Sequence, residues 1–257
     1  MATIEVNGRS LSYSDTGQGS AVVLIHGFPL DGRVWSAVAD RLGMRARVIV
    51  PDLRGFGRHP PEEAFTMDDL ADDMAKLMET LGVAPCAVAG LSMGGYVAQA
   101  LAKKYRGIAT RLILVDTKAE GDSPEAKANR DVMADLALSE GSRAVAEQML
   151  PKMTAPDAAA GVVAELQSIM ESQSPQTLAA ACRAMRDRDD FQSVLPTLDV
   201  PIDFIFGRDD VISPAAAIES IVNGSPQNSL TLIDNAGHMS PIEQPQSVAD
   251  AIAHVLG

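Results

Sequence analysis

Ser92 stands between glycines in the stretch Val88-Ala89-Gly90-Leu91-Ser92-Met93-Gly94-Gly95-Tyr96. Glycine at two residues on either side of a serine is the spacing of a sharp strand-to-helix turn that lifts the hydroxyl clear of the backbone. The run Cys86–Leu91 ahead of it is small and apolar, as in a strand buried on both faces. The run Tyr96-Val97-Ala98-Gln99-Ala100-Leu101-Ala102 behind it is rich in Ala and free of Pro, as in a helix. A turn this tight leaves no room for side chains on its flanks, which explains the glycines. The N-terminal end of the helix would aim N–H groups at negative charge developing beside Ser92. The same short pattern also occurs at ordinary corners, so the other residues of the chain decide between the two.

A serine hydroxyl is a weak nucleophile that needs a base within hydrogen-bond reach and a group to orient that base. In a strand–loop–helix architecture these partners follow in the order Ser, then Asp or Glu, then His. Four histidines exist, at 26, 59, 238 and 254. His26 and His59 precede Ser92, and His254 lies in a helical pattern with apolar positions Val248, Ile252 and Val255. His238 follows a strand and sits in a Gly-containing loop closed by Pro241, which makes it the base. Asp209 and Asp210 both follow the strand ending at Phe206 and compete for the acid, with Asp116 at the end of another strand as a weaker alternative. A carboxylate in such a position also serves simply as a helix cap.

These residues must be placed by the surrounding elements. Residues 2–16 alternate in a hairpin pattern about Asn7-Gly8. Ala21–Ile25, Arg47–Val50, Cys86–Leu91 and Arg111–Asp116 read as strands, with helices near Val34–Leu42 and after the Thr66/Asp69 capping pair. Strand and helix thus alternate through the first 116 residues, which predicts a mostly parallel sheet flanked by helices. From about Ala119 to Asp190 only helical patterning remains, broken at Gly141-Ser142, Pro151, Pro156 and Ser174-Pro175. Strands return at Ile202–Phe206 and Ser229–Ile233, with helices from about Pro214 and over Pro245–Val255. The helical segment therefore reads as an insertion between successive strands of one sheet.

Length and composition agree with a soluble globular protein. The chain has 257 residues, 46% hydrophobic and 21% charged, with a formal net charge of −13. That charge argues against nucleic acid and anionic membranes as partners. No apolar run reaches membrane-spanning length, and the N-terminus enters a strand pattern with no basic and apolar leader. Two cysteines, Cys86 and Cys182, are too few for a disulfide framework and are expected to be reduced thiols in a cytoplasmic protein. Asp68, Asp69, Asp72 and Asp73 lack a His or Cys partner and read as complements to a helix dipole rather than as a metal site.

Over nearly its whole length the sequence resembles the α/β-hydrolase superfamily. The motifs His26-Gly27-Phe28-Pro29, Asp52-x-Arg54-Gly55-x-Gly57, Gly90-Leu91-Ser92-Met93-Gly94-Gly95, Gly207-x-x-Asp210-x-x-x-Pro214 and Gly237-His238 occur in that family's order. The resemblance implies an α/β-hydrolase fold, with a core of 1–118 and 191–257 and a helical cap of 119–190. It implies Asp210 as the acid beside Ser92 and His238, the backbone N–H groups of Phe28 and Met93 as the oxyanion hole, and His26 as a structural brace. His59 stands where relatives often carry Ser, a departure expected to touch only loop packing. Ser92 excludes the haloalkane dehalogenase branch, which uses Asp there. The chain is similar to small bacterial carboxylesterases, 3-oxoadipate-type enol-lactonases and non-haem haloperoxidases or perhydrolases. It is therefore expected to be a serine hydrolase acting on small-molecule esters or lactones, with no cofactor and no metal. The alternatives are a C–C bond hydrolase or perhydrolase with the same triad, and a ligand-binding receptor on the same scaffold.

Within the cap, Met133, Met149, Met153, Met170 and Met185 recur. Most are expected to form the cap's own core and some to line an apolar acyl pocket. Residues 119–190 hold seven Lys and Arg against thirteen Asp and Glu, which gives no support for a strongly acidic substrate. Arg183 and Arg186 are expected on the solvated helix face.

Overall fold

The chain is described by a computed structural model that covers residues 1–257. Asn7 and Gly8, both at positive φ (50° and 75°), turn β1 (Ala2–Val6) back onto β2 (Arg9–Thr16) as an antiparallel hairpin. The strands β3 (Ala21–Ile25), β4 (Arg47–Pro51), β5 (Cys86–Leu91), β6 (Ala109–Val115), β7 (Ile202–Gly207) and β8 (Ser229–Ile233) complete one sheet. Its order is β1-β2-β4-β3-β5-β6-β7-β8. β2 pairs antiparallel with β4, and every pair from β4 onward is parallel.

Successive strand residues face opposite sides, so each strand feeds two cores. Val23, Ile25, Val88, Leu112, Leu114, Phe204 and Phe206 point to one side, where α2 (Met67–Thr80) and α3 (Met93–Lys104) pack. Val22, Leu24, Ala87, Ala89, Ile113, Val115 and Ile205 point to the other, covered by α1 (Ser36–Leu42) and, at the end of the chain, by Val248, Ala249 and Ile252. Neither face meets water, which is why these strands are continuous apolar runs rather than alternating ones.

Between β6 and β7 the chain forms α4 (Pro124–Met149), α5 (Ala160–Glu171) and α6 (Pro175–Arg186). Gly141, at φ 86° and ψ 179°, breaks α4 where the sequence reading placed an interruption. The inserted segment leaves and rejoins the sheet at one point: Phe191 N donates to Ala119 O (2.7 Å) and Gly121 N to Asp190 Oδ2 (3.0 Å). A buried polar key fastens it to the core, since Gln173 accepts from Gly57 N (3.0 Å) and donates to Asp31 Oδ2 (2.9 Å).

The helix expected from Pro214 is short, a 3-10 turn at Ala215–Ile218 followed by α7 (Glu219–Asn223). Gly224 and Pro226 close behind leave no room for more turns. Past β8 come α8 (Ser240–Glu243) and α9 (Pro245–Leu256). Pro241, read from sequence as closing a loop, instead lies in the first turn of α8, where its missing N–H loses no helix bond.

Candidate active site

The parallel register lines up the C-terminal ends of neighbouring strands: Ile25 with Gly90, Leu91 with Val115, Val115 with Ile205, and Gly207 with Ile233. The loops leaving β3, β5, β6, β7 and β8 therefore emerge on one edge of the sheet. Ligands of open parallel sheets bind at that edge.

Ser92 alone makes the turn from β5 to α3, at φ 51° and ψ −113°. A side chain on Gly90 would collide with the Gly94 carbonyl, and one on Gly94 with the Ile25 carbonyl, so both glycines are required by close approach. A non-glycine residue in this region costs about 1–3 kcal/mol and must be held by its surroundings. Ser92 N donates to Val115 O (2.9 Å), and Ser92 O accepts from Thr117 Oγ1 (2.7 Å) and Gly95 N (2.9 Å).

The loop after β8 brings His238 Nε2 to 2.9 Å from Ser92 Oγ, and His238 Nδ1 to 2.8 Å from Asp210 Oδ2. Asp210 is 4% exposed, and its Oδ1 accepts from Ile212 N (2.8 Å) and Ser213 N (3.0 Å). Burial pushes its carboxyl upward, but the bonds from His238 and Ser213 outweigh that and hold it below the ordinary range. Ser213 Oγ joins the group, 2.8 Å from Asp210 Oδ2, 3.1 Å from His238 Nδ1 and 2.9 Å from Asp116 O. Asp209, the competing acid, has an exposed side chain, and its N donates to Ala236 O (2.9 Å). Asp116 is fully buried, bonds to Gly207 N and to Ser240, and makes no hydrogen bond to His238.

The loop after β3 runs alongside Ser92: a Cβ built on Gly27 would lie 3.2 Å from Ser92 Cβ. The next residue is Phe28, joined to Pro29 by a cis peptide bond. No turn or loop hydrogen bond uses Phe28 N or Met93 N as donor, and Met93 opens α3, where first-turn N–H groups have no partner within the helix. His26 braces the loop. Its Nδ1 bonds Gly27 O (2.9 Å), its Nε2 accepts from Leu53 N (3.0 Å), and complete burial lowers its pKa and keeps the ring neutral.

Other residues singled out in the sequence have structural partners. His59 Nε2 accepts from Ser12 N (3.1 Å), and His254 is exposed. Asp69 completes a capping box with Thr66, Asp73 pairs with Arg54 (2.6 Å), and Asp72 pairs with Lys104 (2.6 Å). Cys86 and Cys182 are unpaired and buried, and burial pushes both thiols up to about 12. Met153, Met170 and Met185 are buried in packed cores, whereas Met133 and Met149 are half-buried. Arg183 is exposed, and Arg186 pairs with Asp131 and Asp187. Arg188, which the sequence reading passed over, lies buried with its guanidinium 4.1 Å from the Tyr96 ring centroid and 2.7 Å from Asp122. Ser213 was missed too. Nothing in the local sequence marks it as buried, because two of its partners, Asp116 and His238, come from distant parts of the chain.

A family model described as the alpha/beta hydrolase family matches residues 22–251. The chain belongs to the alpha/beta hydrolase family. A thermophilic esterase from Thermogutta terrifontis, with malate bound, is similar at 40% identity and a TM-score of 0.94, with 99% of this chain and 97% of that one covered. The enol-lactonase of Burkholderia xenovorans LB400 is 26% identical at a TM-score of 0.88, with 99% of each chain covered. A pimeloyl-acyl-carrier-protein methyl ester esterase of Aeromonas hydrophila is 27% identical, with 96% of this chain and 100% of that one covered. The fold of this alpha/beta hydrolase, a mostly parallel sheet between helices, is the one its motifs implied. No helix is long and apolar enough to cross a membrane.

Proposed function

We propose that this alpha/beta hydrolase cleaves carboxylic esters or lactones of modest size through an acyl-enzyme on Ser92. The observation that carries the reading is the relay Ser92 Oγ–His238 Nε2–Asp210 Oδ2, with steps of 2.9 Å and 2.8 Å. In this reading His238 is neutral, with its proton on Nδ1 facing Asp210, so that Nε2 accepts the Ser92 proton as Oγ attacks the carbonyl. The proton then passes from Nε2 to the leaving alkoxide, and the alcohol departs. Water repeats the sequence on the acyl-enzyme: His238 takes its proton and returns it to Ser92 as the acid is released. Asp210 orients the imidazole and stabilises its charged form. Phe28 N–H and Met93 N–H stabilise the oxyanion in both steps, each worth about 3 kcal/mol. No step calls for a cofactor. Residues 119–190 act as a cap that shapes the acyl site. The esterase and lactonase names among similar proteins support this class of substrate.

The test is turnover against p-nitrophenyl esters of graded acyl length and simple lactones, together with labelling by a fluorophosphonate. Wild type should label and turn over, and Ser92→Ala should do neither while keeping its circular dichroism spectrum. Labelling of the folded Ser92→Ala protein would refute the role of Ser92. Labelling of wild type without any turnover would favour a ligand-binding receptor.

A further inference from the structure

Asp116 is the residue at this edge that the proposed chemistry leaves unused. It follows the last residue of β6 in a left-handed conformation (φ 44°), a region that non-glycine residues enter at a cost, and its exposure is 0%. Its Oδ1 accepts from Gly207 N (2.7 Å), at the end of the strand that leads to Asp210. Its Oδ2 lies 2.5 Å from Ser240 Oγ and 3.3 Å from Ser240 N, two residues past His238. Its own carbonyl accepts from Ser213 Oγ, the hydroxyl that also touches Asp210 and His238. One side chain therefore ties the acid loop to the base loop.

The contact between Asp116 Oδ2 and Ser240 Oγ permits a proton on either oxygen. No Lys, Arg or His forms an ion pair with Asp116, whereas the Asp210 carboxylate lies close by and is held ionised by His238. Two neighbouring buried carboxylates, with the imidazole bonded to Asp210 and not to Asp116, do not both ionise readily. We propose that Asp116 works as a neutral carboxylic acid, donating from Oδ2 to Ser240 Oγ and accepting Gly207 N–H at Oδ1, so that it positions both loops without a second negative charge beside Asp210. Burial and the charge of Asp210 push the Asp116 carboxyl well above the ordinary range, and the bonds from Ser240 and Gly207 do not outweigh them.

This inference rests on the triad reading for its kinetic consequence but not for its spectroscopic one. In infrared spectra of the full chain with 13C-labelled aspartate carboxyls, at neutral pH, wild type should show a protonated-carboxyl C=O band. Asp210→Asn should keep that band and Asp116→Asn should lack it. A wild-type spectrum without the band, or a band that survives in Asp116→Asn, overturns the proposal. Asn keeps the Gly207 N–H bond at its oxygen and donates from its amide to Ser240 Oγ, losing only the longer contact from Ser240 N. On p-nitrophenyl acetate, Asp116→Asn should therefore retain at least about tenfold more kcat than Asp116→Ala, with KM moving less than kcat in both. An equal or reversed ranking would mean that the carboxylate anion is required, and would also overturn it. Fluorophosphonate labelling of Ser92 in the same samples reports on the triad reading by itself, so a failure of one is distinguishable from a failure of the other.

Discussion

Glu243 Oε2 accepts the N–H of Ala155 at 2.7 Å, which joins the inserted helical segment to the loop that carries His238. Its other oxygen accepts from Gly237 N (2.9 Å) and Met239 N (3.2 Å), the residues on either side of His238. The two segments touch closely, since a side chain on Gly237 would run into the backbone of Thr154 and Ala155. Burial pushes the Glu243 carboxyl above its ordinary range against the pull of the three N–H groups. Glu243→Ala leaves all three donors without an acceptor, so its unfolding free energy should fall by about 1–3 kcal/mol. Urea denaturation checks this, and an unchanged midpoint and slope would contradict it.

The two aspartates after β7 are separable by mutation. Asp210 is buried against His238 and Asp209 is exposed. Asp210→Asn should lower ester turnover by about three to four decades, as for a triad acid elsewhere. Asp209→Asn should stay within about twofold of wild type. Steady-state kinetics on one ester ranks them, and the reverse ranking would show that the acid was misassigned.

The methionines of the insertion divide by burial. Met170 is fully buried in a core with Leu166, Ile169, Met239 and Ile242, so Met170→Ala should cost about 2–5 kcal/mol of stability. Half-buried Met133 should cost less when truncated, and its loss should shift acyl-chain preference more than it changes turnover of acetate esters. Thermal melts and an ester panel measure the two effects. Identical acyl profiles for wild type and Met133→Ala would make Met133 a packing residue only.

Asp122 links both ends of the insertion, through Arg130 (3.0 Å) on α4 and Arg188 (2.7 Å) beyond α6. Burial raises its pKa, but the two guanidiniums outweigh burial and hold it below the ordinary value. A carboxyl lowered on folding contributes stability above its unfolded pKa, near 4, and loses that contribution as pH falls through the lower folded value. Asp122→Asn should therefore be less stable than wild type at neutral pH by about 1–3 kcal/mol. The gap should close progressively below about pH 4. Urea titrations across that range test the sign, and a gap that widens in acid would exclude this account.

Pro29 follows Phe28, one of the two proposed oxyanion-hole residues, and is buried at the edge of the site. Its restriction of the Phe28 backbone presets where the neighbouring N–H and carbonyl point. A carbonyl aimed at the acyl-enzyme would accept a hydrogen bond from attacking hydrogen peroxide and favour peracid over acid. Wild type should then form peracetic acid from acetate and hydrogen peroxide faster than Pro29→Leu, relative to esterase activity. Equal ratios would leave Pro29 as a loop residue.

Much of this molecule is local and was legible in the chain. The strands Ala21–Ile25 and Cys86–Leu91 have the limits read from their apolar runs, because a strand buried on both faces must be apolar throughout. The Asn7-Gly8 turn, the Thr66/Asp69 capping box and the tight corner at Ser92 are set by steric and hydrogen-bonding demands within a few residues. Asp210 and His238 follow from the order of the motifs, though the choice between Asp209 and Asp210 needed family likeness rather than chemistry.

What depends on distant residues required the folded chain. The strand order puts β3, β5, β6, β7 and β8 side by side, and no local pattern encodes which strand lies next to which. The places of Asp116, Ser213, Gln173, Arg188 and Glu243 follow from that order. Each is a buried or half-buried polar residue whose place is tolerable because hydrogen-bond partners arrive from elsewhere in the sequence. In the chain alone Ser213, Gln173, Arg188 and Glu243 look like surface residues and Asp116 like a second candidate acid, since a polar side chain carries no local mark of the partner it will meet.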